Sequence, residues 1–436
     1  MIVNPEMNRR AMIAGLGAAA GATFTPSAVL AHYEGPLGER LYADVERYSG
    51  LGHHRTGGPG DEATTSWLAE RLSAAGYEVS SPRFELPTFE PAQCHVRSGD
   101  SLIDTFPAWP VVPTCGITRP LHNAADGGSL EGKIGLVILP YRPGSAFVVR
   151  GFGSTVLDAQ SRGADAIVVV TEGPTGEIIA LNAHLERYAW RVPVVLAAGK
   201  ERGCLEELAA RQAFATVEVQ GEVRPRAHAT NVLGRRAARK GAPEGAVVLT
   251  TPKSGWFTCA GERGSGIALF LEAAERLVRW TDRELLVVAT TGHELEGLGG
   301  EKLLEQYAPP PGRVALWTHI GANIASNEVD LSRGVRRTDE IFSQRGILVP
   351  ASLMKAAGRA FARQPGYATP VDILSDKAVG EVVIYRRDGY HRLIGMVGAH
   401  PLHHTVLDLP RNVTSPDALE PVALGLFKLL QIAVSS

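Results

Sequence analysis

Three apolar runs constrain this chain most: "GAVVLTT" (245–251), "RELLVVATT" (283–291) and "RVALWTHIG" (313–321). Each lacks the alternating polar face of a strand with one side in water, so each needs cover on both faces. The spacers supply that cover. "GIALFLEAAERLVRW" and a span starting at Gly300 have helical spacing, and "DALEPVALGLFKLLQIAV" closes the chain as another helix. Strand and helix in strict alternation predict an α/β fold, an open mixed sheet flanked by helices.

A second, smaller alternation interrupts the first. "GKIGLVILP", "STVLDAQSRGA", "DAIVVVTEG", "VPVVLAAGK" and "ERGCLEELAARQ" fall between Pro87 and Arg226. At 436 residues the chain is too long for one ordinary core. The reading is therefore a discontinuous main domain, 32–86 and 227–436, with an inserted smaller α/β domain at 87–226.

Residues 1–31 differ in kind. Arg9 and Arg10 precede an Ala/Gly-rich apolar run, and "SAVLA" offers small residues where a signal peptidase cuts. This pattern predicts a twin-arginine export signal, hence a periplasmic or extracellular protein with no membrane span after cleavage. The formal charge of −2 gives no reason to expect nucleic acid as a partner. Cys94, Cys115, Cys204 and Cys259 match no zinc spacing, and either disulfide pairing or free thiols suits them. Nothing fixes the oligomeric state.

In open α/β sheets ligands sit beyond the carboxyl ends of the strands. Those ends carry Lys253, Glu262 and Arg263 after the first run, and His293 and Glu294 after the second. Thr318 and His319 stand at the third, and His400, His403, His404 and Asp408 lie in "GAHPLHHTVLD". Carboxylates and imidazoles gathered at several strand ends suit a metal or acid–base site. Each also has a bland reading: a histidine held by structural hydrogen bonds, or an adjacent Glu262–Arg263 charge pair at a helix start. "HELEG" is not the helical zinc-protease motif, because Gly297 stands four residues after His293.

The order of these pieces resembles the secreted and vacuolar zinc aminopeptidases, a family that includes aminopeptidase Y and glutamate carboxypeptidase and has glutaminyl cyclase as a relative. "HHRTGGPGDEATTSWLAERLSAAGYEV" is similar to the family's opening helix and strand. The 87–226 segment looks like the protease-associated domain that many members carry. "GERGSGIALFLEAAERL" and "HHTVLD" are similar to its acidic loop and closing histidine motif.

The resemblance implies a phosphorylase/hydrolase-like open mixed sheet and a hydrolase of amide or peptide bonds acting on a peptide or small amide. In the family two zinc ions polarise the carbonyl while a glutamate serves as base. Here "TTPKSGW" has no counterpart of the first histidine, Thr318 replaces an aspartate ligand, and His293 replaces the base. By the resemblance, the remaining set, Glu262, Glu294 and His404, implies one ion, zinc or another divalent metal, with His293 and His319 catalytic. Lys253 and Arg263 are candidates to hold an anionic substrate or an oxyanion. The alternatives are a non-catalytic scaffold that binds a ligand or partner, and a metal-free or glutaminyl-cyclase-like enzyme. Asp376 in "ILSDKAVGE" is similar to a pocket-lining position of the family.

Overall fold

In the computed structural model, described over residues 35–142, 146–149, 151–184, 187–375 and 380–435, an eight-stranded mixed sheet forms the centre. In chain order its strands are β1 (Glu78–Ser80), β9 (Val232–Arg236), β10 (Ala246–Pro252), β11 (Leu285–Thr290), β12 (Val314–Ile320), β15 (Arg345–Val349), β16 (Val371–Asp372) and β17 (Leu393–Gly398). The numbers between belong to a barrel and a ribbon. The barrel comprises β2 (Arg83–Ser98), β3 (Ser101–Pro107), β4 (Thr114–Asn123), β5 (Ile134–Leu139), β6 (Ala166–Thr171), β7 (Val194–Ala198) and β8 (Phe214–Thr230). The ribbon pairs β13 (Asn327–Asp330) with β14 (Arg336–Ile341).

The apolar runs need two covered faces for a visible reason. Leu285, Val287 and Ala289 of β11 enter the core under helices Leu37–Ser49, Ser265–Trp280 and Pro416–Ser435. Their neighbours Leu286 and Val288 enter a second core with Leu303, Trp317 and Tyr385 on the opposite face. Period-two alternation between two buried faces produces an unbroken apolar run. Strands β10, β11, β12 and β17 run parallel, so their carboxyl ends open on one side.

The helix Pro416–Ser435 is long and apolar enough to cross a membrane, yet its Leu419, Val422, Leu426 and Leu430 are fully buried in the first core. Cys94, Cys115, Cys204 and Cys259 are free thiols, and Cys259 alone among them is buried. The export signal read at 1–31 and the position Asp376 lie outside the described residues.

The barrel strands span a few residues more on each side than the 87–226 segment. The barrel core is continuous with Trp256, Phe257 and Leu295, which belong to the loops after β10 and β11. Phe106 and Trp109 of the barrel segment meet Trp256 with ring centroids 5.7 and 5.4 Å away. This aromatic joint sets the barrel on the carboxyl edge of the sheet, above the candidate site.

Candidate active site

The turn after β11 positions the first pair. In "GHELEGLGG" the backbone is left-handed at Gly292 (φ 79°), Glu296 (φ 58°) and Gly297 (φ 74°). At Gly299 a Cβ would lie 2.1 Å from the Thr291 carbonyl oxygen, so only glycine fits. The result is a tight reversal that turns His293 and Glu294 in different directions.

Glu294 points inward and is hydrogen-bonded at both oxygens. Its Oε1 accepts from the Thr56 N–H and hydroxyl, each at 2.7 Å, and its Oε2 accepts from the Ser254 hydroxyl at 2.7 Å. His293 points to the rim, with its side chain 18% exposed, and its Nδ1 lies 3.0 Å from Oε1 of the buried Glu381. Burial alone would raise the Glu381 pKa, but the His293 hydrogen bond and the charges of His293, His319 and Arg263 outweigh it and bring it to about 2. His319 Nε2 lies 3.9 Å from the other oxygen of Glu381, and burial lowers its pKa to about 4.

Glu262 sits in a single π-helical turn, Ala260–Gly264, that leads into helix Ser265–Trp280. Asp408 fixes this turn by accepting from the N–H groups of Gly261 (2.7 Å) and Glu262 (3.1 Å). The Glu262 carboxylate is fully buried, yet among the described residues neither oxygen has a directed hydrogen bond. Arg263 NH2 stands 2.7 Å from Oε1, but off the N–H line, so the contact is an ion pair. His404 Nε2 approaches the same oxygen at 3.3 Å. Burial would raise the Glu262 pKa, but Arg263 and His404 hold it well below the usual carboxylate range.

Lys253 is buried against Asp61, which also accepts from the Gly57 N–H (3.0 Å) and the Thr291 hydroxyl (2.8 Å). Its ammonium is thus committed to a carboxylate, and the same is true of the Arg263 guanidinium. The sequence made both candidates to hold an anionic substrate or an oxyanion; Lys253 is paired with Asp61, while the terminal nitrogens of Arg263 stand at Glu262 without a directed hydrogen bond.

The structure brings Glu262 and His404 together and keeps Glu294 with Thr56 and Ser254. Among the described residues, the group whose ligand atoms lie within 4.8 Å of one another is Glu262, His403 and His404. The set read from the sequence was Glu262, Glu294 and His404; here Glu294 lies with Thr56 and Ser254, and His403 stands beside Glu262 and His404. Glu381 and Asp61 were not singled out. Glu381 precedes a short helix, Val382–Arg387, and Asp61 lies in the first turn of helix Pro59–Ala74, where an acidic residue is ordinary. No spacing marks either one.

The donor set fits a divalent ion. His404 Nδ1 is 2.9 Å from the Ala180 carbonyl and donates to it, so the neutral ring presents a lone pair at Nε2. That lone pair faces a carboxylate oxygen, and neither atom has another hydrogen-bond partner. Two buried acceptors facing each other call for a proton or a metal ion between them. Burial and the neighbouring His404 lower the His403 pKa well below its ordinary value, which keeps that ring neutral, as a ligand must be. Asn323 Nδ2 lies 2.9 Å from His403 Nδ1, while Asn323 Oδ1 is unpartnered. Turning this amide over would let Oδ1 accept from Nδ1–H and leave His403 Nε2 as the ligand atom.

The barrel contributes to the site directly. The segment after β6 bonds to His404 in both directions, because Ala180 N–H also donates to the His404 carbonyl (3.0 Å). Ala183 N–H donates to the Glu294 carbonyl (2.9 Å), and Asn182 Oδ1 accepts from the Trp256 indole (3.0 Å).

The chain has the fold of the zinc aminopeptidases. It is similar to the aminopeptidase from Aneurinibacillus sp. strain AM-1, at 16% identity and TM-score 0.66 over 91% of this chain and 93% of that one. It is similar to a zinc aminopeptidase from Bacillus subtilis, at 17% identity and TM-score 0.70 over 91% and 95% of the two chains. It is also similar to a peptidase M28 precursor from Shewanella amazonensis SB2B, at 15% identity and TM-score 0.72 over 92% and 95%. No protein-family model matches the sequence, and no curated protein matches it.

Proposed function

We propose that this protein is an exported hydrolase of an amide or peptide bond, working with one divalent ion held by Glu262, His403 and His404. Export rests on the arginine pair and cleavage pattern in residues 1–31, and we read the barrel as the protease-associated insert. When bound, a divalent ion supplies Lewis-acid polarisation of the scissile carbonyl. His293 does the proton work. Its Nδ1–H is directed to ionised Glu381, which fixes the tautomer and leaves Nε2 as an acceptor at the exposed rim. A proton taken there from the attacking water places positive charge beside Glu381; as the water oxygen bonds to the acyl carbon and the C–N bond breaks, the imidazolium delivers that proton to the leaving amine.

The observation that carries this reading is the unpaired acceptor set of Glu262 and His404, together with a carboxylate-held, partly exposed imidazole, His293, whose charge reaches His403. The test is metal analysis of protein purified without chelator, with a panel of aminoacyl amides. His293→Ala should lower turnover by about 10²- to 10⁴-fold. Absence of stoichiometric metal, together with activity indifferent to His293→Ala and Glu262→Gln, would remove the proposal.

One observation favours a second reading, a scaffold that keeps the fold and binds a ligand without turnover: a side-chain cation already accompanies Glu262. That reading expects no hydrolysis of any amide and no metal. Activity that survives strong chelation would instead indicate a metal-free enzyme built on His293.

A further inference from the structure

Arg263 is the least expected member of the site. It is 1% exposed, and its Nε donates to the Ser254 carbonyl at 2.8 Å. Neither terminal nitrogen has a directed hydrogen bond, although NH2 stands 2.7 Å from Glu262 Oε1. A guanidinium normally meets a carboxylate through in-line, paired N–H bonds. Here one anchor places the cation, and charge alone joins it to Glu262. The other nearby side-chain ammonium, Lys253, is taken by Asp61, and Glu294 has neutral donors. The Arg263 charge also reaches Glu381, but Glu262 is the carboxylate it contacts.

The same oxygen faces His404 Nε2 at 3.3 Å. A divalent ion coordinated by that oxygen would sit about 2 Å from it, against a fixed positive group at hydrogen-bond distance from the same atom. Two cations on one buried oxygen repel strongly, because little water screens them. We infer that Arg263 is the resident counter-cation of Glu262 and that a divalent ion and the guanidinium compete for this carboxylate, so that Arg263 sets the metal affinity. This inference rests on the reading that Glu262, His403 and His404 take an ion. Arg263 is a positioning residue here, acting through Glu262.

The experiment uses the full chain, stripped with chelator, titrated with zinc chloride by calorimetry and checked by elemental analysis, for wild type and Arg263→Gln. Competition predicts at least tenfold tighter zinc binding by Arg263→Gln. It also predicts a lower melting temperature without zinc, restored when zinc is added. Equal, tight binding by both proteins overturns the competition and leaves the ion site standing. No binding by either overturns both. If Arg263→Gln does not fold, zinc-soaked crystals of wild type decide. A guanidinium displaced from Glu262 supports exchange, and zinc bound with the guanidinium still at Oε1 refutes it.

Discussion

Two carboxylates in this site, Glu294 and Glu262, are both buried, and both come from loops at the ends of adjacent parallel strands. Glu294 is surrounded by neutral donors, two hydroxyls and one backbone N–H, which fill its oxygens at 2.7 Å. Glu262 has no directed donor on either oxygen, only a guanidinium and an imidazole nearby. A carboxylate with donors on both oxygens has most of its acceptor capacity taken up by structure. An unsaturated, charge-balanced one retains lone pairs for chemistry. The contrast teaches that capacity for function here follows missing hydrogen bonds, not the mere presence of an acidic side chain at a strand end.

The largest effect that could break this contrast is Glu262→Gln. It leaves Arg263 buried without its counter-charge and should cost about 3–5 kcal/mol, the usual penalty for breaking a buried pair from one side. Denaturant unfolding measures it, and the double variant Glu262→Gln/Arg263→Gln should recover much of the loss. A cost no larger than a surface substitution would mean that the pair is not desolvated.

Glu294→Gln should cost less, about 1–3 kcal/mol, since the amide NH₂ would face donors of Thr56 or Ser254. Zinc affinity should not change. A loss of zinc binding in this variant would put Glu294 back among the ligands.

Imidazoles repeat the contrast. His400 uses both nitrogens: Nε2 donates to the Asn327 carbonyl (3.1 Å), and Nδ1 accepts from the Leu402 N–H (3.2 Å). His404 uses only Nδ1. Burial lowers the His400 pKa from 6.5 to about 4. A lowered pKa adds stability that is complete above 6.5 and is lost as the pH falls through about 4. Between those values His400 should contribute a slope of about 1.4 kcal/mol per pH unit, so His400→Gln should flatten the stability profile there. An unchanged slope would show that the proton does not go to this ring.

The smallest expected effect concerns the barrel. Asn182→Ala removes the bond to the Trp256 indole and should cost about 1 kcal/mol, with a small loss of zinc affinity through the neighbouring Ala180–His404 contacts. A variant that unfolds the barrel without touching zinc binding would separate the two regions.

Much of this was legible beforehand. The paired apolar faces of β10, β11 and β12 made the sheet readable, because their alternation is local. Strand-end reasoning likewise put Glu262, His293, Glu294 and His404 at one edge, since parallel strands put their carboxyl ends there. Pairing among those residues was not readable. Asp61 meets Lys253 from 192 residues away, and Glu381 meets His293 from 88. Neither acid stands in a pattern that distinguishes it from an ordinary helix-start residue. Asp376 drew attention by resemblance, while Glu381, nearby in the chain, is the group that holds the imidazole.

The amino-acid order by itself determined the strands, the helices and which loops would meet at one edge, because periodicity and chain direction act over a few residues. Tertiary structure alone decided which carboxylate is quenched by hydroxyls and which keeps a bare charge beside an arginine. Electrostatic partnership depends on separations of a few ångströms between segments that the chain keeps far apart, and no local spacing encodes them.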